Sequence, residues 1–439
     1  MGPIDGYVNK NVPFKFNGAE LRFDLSQSLF SSFDIDVGTK LLLKTVARDP
    51  VLSSARRVLD EGCGVGTIGL SVAKAFPEAE VLLRDRDGLA AAFSERNRLA
   101  NRLNGDPGWS GQGEARPARP APTVERGLIG AGLEGRSFDF ALSNLPAKAG
   151  APILELFFDR LSGRRGEALL APAGRAAVVV VSPLAEAARG WIAEAGLVAI
   201  GGARGGMHEV FVMERGKAPD KLVEVPPLSG YSPLSGYSPL SPYLRCEAKF
   251  SLAKSSYRAF GFWGLPEFDT PGYGSAAAAE LASRLPSIRS ACLRNAIFIE
   301  PGAGHLAAWS ALKLGLERIT AYSRDLLALE ATGWNLASLG GRSGIEYAGF
   351  DLVAGPEPAE SAFDLVAERI DGRSERDWEG RAWALAGRAL RKGGFYLVAC
   401  SPTEAARLER RRPASGGWTL AGQRRKKGFL ALAWRKDRD

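Results

Sequence analysis

The stretch Arg57-Val58-Leu59-Asp60-Glu61-Gly62-Cys63-Gly64-Val65-Gly66-Thr67-Ile68-Gly69-Leu70 sets an apolar strand end and an acidic pair before a run of glycines that opens a helix. Glycines at 62, 64 and 66 permit positive φ and let the backbone approach a ligand closely. The helix that follows aims its free amides into the same space. Asp60, Gly62, Cys63, Gly64 and Gly66 are therefore expected to cradle a nucleotide-type cofactor. Gly64-x-Gly66-x-x-Gly69 also fits the dinucleotide fingerprint, which would make the chain a nicotinamide dehydrogenase. Charge argues otherwise. Asp60 and Glu61 would point two negative charges at a pyrophosphate, whereas the amino-acid end of S-adenosylmethionine carries an ammonium that wants a carboxylate nearby.

Two further motifs end predicted strands. Glu80 to Leu83 runs into Arg84-Asp85-Arg86-Asp87, and in a doubly wound sheet an acid there can accept both ribose hydroxyls of an adenosine. Asp85 is preferred over Asp87 for that role. Phe138 to Leu142 runs into Ser143-Asn144-Leu145-Pro146-Ala147-Lys148. An amide beside a proline-stiffened backbone can hold a substrate amine through its side-chain oxygen and a main-chain carbonyl, which makes Asn144 and Pro146 the catalytic pair. Catalysis would be mostly positioning, and the absence of a histidine at this motif is no obstacle, since an amine can lose its proton after transfer. Upstream, Asp36-Val37-Gly38-Thr39 precedes a leucine-rich helix. Asp36 and Thr39 could fold over the cofactor, or simply cap that helix.

The elements that must position these groups alternate between strand and helix patterns. Short strands are predicted within 12–30, helices over 41–46, 68–76, 89–103 and 184–195, and strands over 176–181 and 208–213, with a long Gly/Pro/Arg-rich loop over 105–127. At 439 residues with 45% hydrophobic and 24% charged residues, the chain is long enough for two domains. Leu228-Ser229-Gly230-Tyr231-Ser232-Pro233 repeats at once as Leu234 to Pro239, and proline at every sixth position makes this an extended linker. Beyond it, Glu300-Pro301-Gly302-Ala303-Gly304-His305 echoes Asp60 to Val65, but Ser323 stands where Asp85 stood, and Glu368-Arg369-Ile370-Asp371 replaces Ser143 to Pro146. The expected division is a first domain over 1–220, a linker over 221–245 and a second domain over 246–439.

A net charge of +8 and a pI near 9.3 suit a polyanion such as RNA or a solvated basic surface. The tail from Arg407 onward, with Arg410, Arg411, Arg412, Arg424, Arg425, Lys426, Lys427 and Arg435, could grip phosphates. No apolar run approaches the ~18 residues of a membrane span, so a cytoplasmic protein with no membrane partner is expected. Cys63, Cys246, Cys292 and Cys400 show no ligand spacing, so no metal is expected.

Taken in order, Phe30-Ser31-Ser32, Asp36 to Thr39, Asp60 to Gly66, Asp85, Asn97 and Ser143 to Pro146 resemble the class I S-adenosylmethionine-dependent methyltransferases. Within these they resemble the methyltransferase small domain family, which includes tandem-domain rRNA guanine methyltransferases. The resemblance implies an α/β protein of two tandem Rossmann-like seven-stranded domains, the second degenerate. It also implies S-adenosylmethionine held at Asp60, Gly62, Gly64 and Asp85, and methylation of an amine nitrogen of rRNA or tRNA. Two departures accompany it. The family usually shows Asn-Pro-Pro followed by an aromatic that stacks on the base, where this chain has Leu145 and Ala147, and in the tandem enzymes the degenerate copy comes first. A non-catalytic RNA-binding or assembly protein on the same fold is the alternative.

Overall fold

The computed structural model describes residues 4–29, 33–105, 119–216, 239–267, 269–339, 344–370, 372, 375–414 and 417–438. Residues 30–32, most of the basic loop after Gly105, the hexapeptide repeats up to 238 and Asp371 lie outside the described residues. The chain divides into two units, Met1–Pro227 and Leu228–Asp439.

In the first unit an antiparallel hairpin, β1 (Lys10–Phe16) and β2 (Ala19–Leu25), precedes helices α1 (Val37–Val46) and α2 (Pro50–Ser54). There follow β3 (Arg57–Glu61), α3 (Thr67–Ala75), β4 (Glu80–Asp85), α4 (Gly88–Ala100), β5 (Thr123–Arg126), β6 (Phe138–Asn144), α5 (Ala151–Ser162), β7 (Leu170–Val181), α6 (Ala185–Glu194), β8 (Leu197–Gly205) and β9 (His208–Arg215). The strands form one seven-stranded sheet in the order β5-β4-β3-β6-β7-β9-β8. Strands β3 to β7 are parallel neighbours and β9 runs antiparallel to β7 and β8. The strand order reverses between β3 and β6, and open α/β sheets bind ligands in the crevice at that point, beyond the carboxyl ends of the strands. The glycine turn after β3, the acid after β4 and the amide after β6 all lie there.

The buried runs in β3, β6 and β7 (Val58, Leu59, Phe140, Ala141, Leu142, Val178, Val179, Val180) are the apolar, β-branched-rich segments that a strand covered on both faces requires. Two strands carry no such signal. β8 is an edge strand whose residues are mostly exposed and which contains Gly201, Gly202 and Gly205, and β5 lies at the other edge, inside the stretch that reads as a loop.

The second unit repeats the plan: hairpin β10 (Leu244–Leu252) and β11 (Ser255–Phe262), then α7 (Tyr273–Arg284), α8 (Pro286–Ser290), β12 (Asn295–Ile299), α9 (His305–Leu314), β13 (Arg318–Ser323), α10 (Leu326–Ala337), β14 (Glu346–Asp351), β15 (Phe363–Arg369), α11 (Trp378–Ala389), β16 (Leu390–Cys400), α12 (Pro402–Arg410), β17 (Trp418–Lys426) and β18 (Phe429–Lys436). Its sheet, β14-β13-β12-β15-β16-β18-β17, has the topology of the first. The protein is thus two tandem Rossmann-like seven-stranded α/β domains. Leu240 and Tyr243, which the linker assignment placed outside the second domain, are buried in it, and Trp263 N donates to Tyr243 O at 2.7 Å. Among the described residues no helix is long and apolar enough to cross a membrane.

Candidate functional site

β3 begins under a fixed anchor, because Asp139 Oδ2 in β6 accepts from both Arg56 N and Arg57 N at 2.9 Å. It ends in a turn in which Gly62, Gly64 and Gly66 all have positive φ (78°, 57° and 85°). Gly62 N and Cys63 N donate to Arg84 O of β4, at 2.8 and 2.9 Å, and Gly66 caps α3 in the left-handed conformation. A Cβ at Gly64 would meet nothing within 4 Å and one at Gly62 only Ser143 Oγ at 3.9 Å, so these two glycines border open space. Gly66 instead faces Leu70 and Ser94, and a Cβ on Gly69 would come within 2.7 Å of Leu83, so these two serve close packing. The hairpin is tied to the turn by Asn97 of α4. Its amide exchanges hydrogen bonds with Asp24 N and O at 2.8 and 3.1 Å, and it donates to Val65 O at 2.9 Å.

The acids divide into three environments. Asp60 is fully buried, its Oδ2 accepting from Gly69 N at 2.7 Å while Oδ1 has no hydrogen-bond partner, and burial pushes its carboxyl up to about 7. Glu61 sits opposite Arg84 in the β3–β4 register, and the two form an ion pair at 3.2 Å with both side chains buried. Asp85 is half-buried at the lip. Its Oδ2 accepts from Gly64 N at 3.0 Å and Oδ1 from Asp87 N at 2.9 Å, leaving each oxygen a further lone pair, and burial of its surroundings raises it to about 6. Asp87 is turned to capping α4 through Leu89 N at 2.8 Å.

Two expectations are corrected here. The acidic pair does not point into the crevice. β-strand alternation sends the two side chains to opposite faces, Asp60 beneath α3 and Glu61 to Arg84, so the turn presents backbone and Asp85. The charge argument against a pyrophosphate thus rests on Asp85. Cys63 likewise contributes only its backbone, since its buried Sγ lies 3.3 Å from Ser94 Oγ, and burial pushes the thiol well above its ordinary value.

Asn144 ends β6 across the crevice. Its Nδ2 donates to Asp36 Oδ2 at 2.9 Å and to Thr39 Oγ1 at 3.0 Å. Asp36 is also the N-cap of α1, its Oδ2 accepting from Thr39 N at 3.0 Å. The structure therefore joins Asp36 and Thr39 to Asn144 as well as to the helix cap. Leu145 is pinned by its N–H to Val179 O at 3.2 Å with its side chain in the core, and Pro146 O accepts from Ala149 N at 2.9 Å. Pro146 and Ala147 are exposed. Sequence reasoning passed over Arg84, Ser143 (Oγ donating to Glu61 O at 2.7 Å) and His208, against whose ring a Cβ on Gly38 would come within 2.7 Å. A partner for the buried Glu61 was the one signal available, because such a charge requires one.

The basic tail is largely engaged within its own unit. Arg407 pairs with Glu379, Arg411 with Asp377, Arg424 and Lys426 with Glu280, and Arg435 with Asp437. Arg412 lies over the Trp434 ring, 5.1 Å from its centroid. Most of these charges hold α12 and β17 in place, which reduces the polyanion surface that the sequence suggested. Among the described residues no group of three or more His, Cys, Asp or Glu could hold a metal ion.

Strand order, glycine turn and strand-end acid and amide together define a class I methyltransferase fold. The family model for the methyltransferase small domain matches residues 20–188, which lie within the first unit. Ribosomal RNA small subunit methyltransferase C of Pasteurella multocida is 38% identical over 87 residues, 20% of this chain and 25% of that protein. The protein of the same name from Mannheimia succiniciproducens is 43% identical over 77 residues, 18% of this chain and 22% of its own. The match to these curated relatives thus spans only about a quarter of their length. Across the whole chain, the T. thermophilus 16S rRNA N2 G1207 methyltransferase, solved with AdoMet and guanosine, superposes with a TM-score of 0.64 at 16% identity, covering 100% of both chains. That likeness concerns the fold.

Proposed function

We propose that the protein is an S-adenosylmethionine-dependent methyltransferase acting on an amine nitrogen of RNA, with rRNA of the small subunit as the first substrate to test and the first unit as its catalytic domain. The observation that carries this reading is Asn144. Its amide nitrogen is committed to Asp36 and Thr39, so its oxygen remains for a substrate N–H. The crevice fits the cofactor: Gly62 and Gly64 border open space, and Asp85 has lone pairs left for ribose hydroxyls. When bound, the cofactor supplies an electrophilic methyl group.

Asn144 Oδ1 and Leu145 O accept the two hydrogens of an amine and thereby aim its lone pair. Held at Gly62, Gly64 and Asp85, the cofactor would give up its methyl to that lone pair, its sulfur keeping the electrons of the bond that is broken. The nitrogen then carries the positive charge and gives a proton to solvent, which requires no protein base. Likeness to ribosomal RNA small subunit methyltransferase C and to the T. thermophilus 16S rRNA methyltransferase supports rRNA, and with it a cytoplasmic site of action. Ala147 supports the second reading, a non-catalytic RNA-binding or assembly protein, because it offers no ring for a base. The test is transfer of labelled methyl from cofactor to small-subunit rRNA and to tRNA, with bulk protein as a parallel acceptor. Label in RNA is expected. RNA binding with no label in any acceptor replaces the first reading by the second.

A further inference from the structure

The amide of Asn144 has two possible orientations, and only one presents an acceptor to an amine. We infer that Asp36 and Thr39 are positioning residues that hold the Asn144 amide with its nitrogen inward and its oxygen toward the crevice, and thereby restrict the substrate to a nitrogen that carries hydrogens. This rests on the reading of Asn144 given above and deepens it.

The geometry is specific. Asp36 Oδ2 accepts from Asn144 Nδ2 at 2.9 Å and from Thr39 N at 3.0 Å, and Thr39 Oγ1 accepts from the same Nδ2 at 3.0 Å. A carboxylate only accepts, so it excludes the flipped amide, whose oxygen would face it. Among the described residues nothing in the protein donates to Asn144 Oδ1. Thr39 is buried, and Gly38 lets the carboxylate fold back over the helix, because a Cβ there would lie 2.9 Å from Asp36 Oδ2.

The second unit provides an internal control. Arg369 ends β15 where Asn144 ends β6, and Gly272 is the N-cap of α7 where Asp36 is the N-cap of α1. Its acid comes from elsewhere. Glu267 Oε1 accepts from Gly272 N and from Ser275 Oγ, both at 2.8 Å, and lies 3.8 Å from Arg369. The cap acid and the strand-end group have changed together, as partners in one interaction would.

The test uses the full chain. Asp36→Ser keeps a helix-capping oxygen but is too short to reach Asn144, and Thr39→Val removes the second acceptor. Each should lower kcat for methyl transfer ~10-fold while the affinity for S-adenosylhomocysteine stays within about twofold. Asp36→Asn and Thr39→Ser should stay within about threefold of wild type, because the Thr39 N–H pins the new amide oxygen in the accepting place. If Asp36→Ser weakens cofactor binding as much as it slows transfer, Asp36 is a cofactor contact and the inference is overturned, as it is if transfer is unchanged. A second readout needs no activity. In protein labelled with 15N-asparagine, the Asn144 side-chain NH2 should exchange with water about tenfold faster in Asp36→Ser than in wild type. Equal rates overturn the inference even if the wild type methylates nothing, an outcome that by itself would sink only the functional reading.

Discussion

The two units keep the same scaffold bonds and differ in the groups left free to meet a ligand. Asp139 holds the start of β3 through two backbone amides, and Asp364 holds the start of β12 through Arg294 N and Asn295 N at 2.6 and 2.9 Å. Asn97 joins Asp24 to Val65, and Asn335 joins Phe260 to Ala303 with the same three bonds at 2.7, 3.0 and 2.8 Å. By these anchors Gly304, the left-handed cap of α9, corresponds to Gly66, and Glu300 therefore corresponds to Gly62, not to Asp60 as the sequence echo suggested. Gly62 N and Glu300 N make the same bond to the neighbouring strand, both at 2.8 Å.

The consequence is chemical. Glu300 is held at φ 52° with a side chain where the first unit has open space, and Ser323 Oγ donates to it at 2.7 Å where Asp85 would offer acceptors. Buried backbone-binding groups persist because losing one strands polar atoms in the core, whereas a group that faces only a ligand can change at little cost to the fold.

The sharpest way to break this contrast is at the strand-end amide. Asn144→Ala should lower methyl transfer ~10²-fold with cofactor affinity within about twofold, since it removes orientation in the transition state and not cofactor contacts. Labelled-methyl assays and calorimetry on the same preparation check it, and full activity would reduce Asn144 to a turn residue. Next in size, S-adenosylhomocysteine should bind once per chain, and Asp85→Ala should weaken it by ~2 kcal/mol through lost charge-assisted hydrogen bonds. A calorimetric stoichiometry of two would show that Glu300 and Ser323 do not close the second crevice. The scaffold half of the comparison predicts equality: Asn97→Ala and Asn335→Ala should each cost ~1–3 kcal/mol of stability within their own unit. Hydrogen exchange resolved by unit measures both, and a loss confined to one copy would break the correspondence.

The smallest effect is on pH. Asp85 must be ionised to accept two hydroxyls, and its carboxyl is raised to about 6, so cofactor affinity should fall as pH drops through that value, by at most ~tenfold per pH unit. Stability should move the other way. Asp60 and Asp85 are raised to about 7 and about 6 by burial, above ~3.9 for an unfolded aspartate. Between pH ~4 and 7 the native state therefore holds more protons, and unfolding free energy falls as pH rises. Calorimetric affinity and denaturant melts across that range should slope in opposite directions.

By itself the sequence determined the two-domain α/β plan, the repeat between the copies, the positions of the glycine turn, Asp85 and Asn144, and the replacement of the latter two by Ser323 and Arg369 in the second copy. It could do so because these signals are local: apolar runs, glycines and a residue type at a strand end. Tertiary structure decided the remainder. Strand alternation in the β3–β4 register turned Glu61 to Arg84 and buried Asp60 under α3, and a glutamate read along the chain shows neither its face nor its partner. The edge strands β5 and β8 pair with neighbours without burying an apolar face, so periodicity could not reveal them. The union of Asp36, Thr39 and Asn144 joins residues more than a hundred positions apart, and only the packing of α1 against the carboxyl end of β6 brings their hydrogen bonds together.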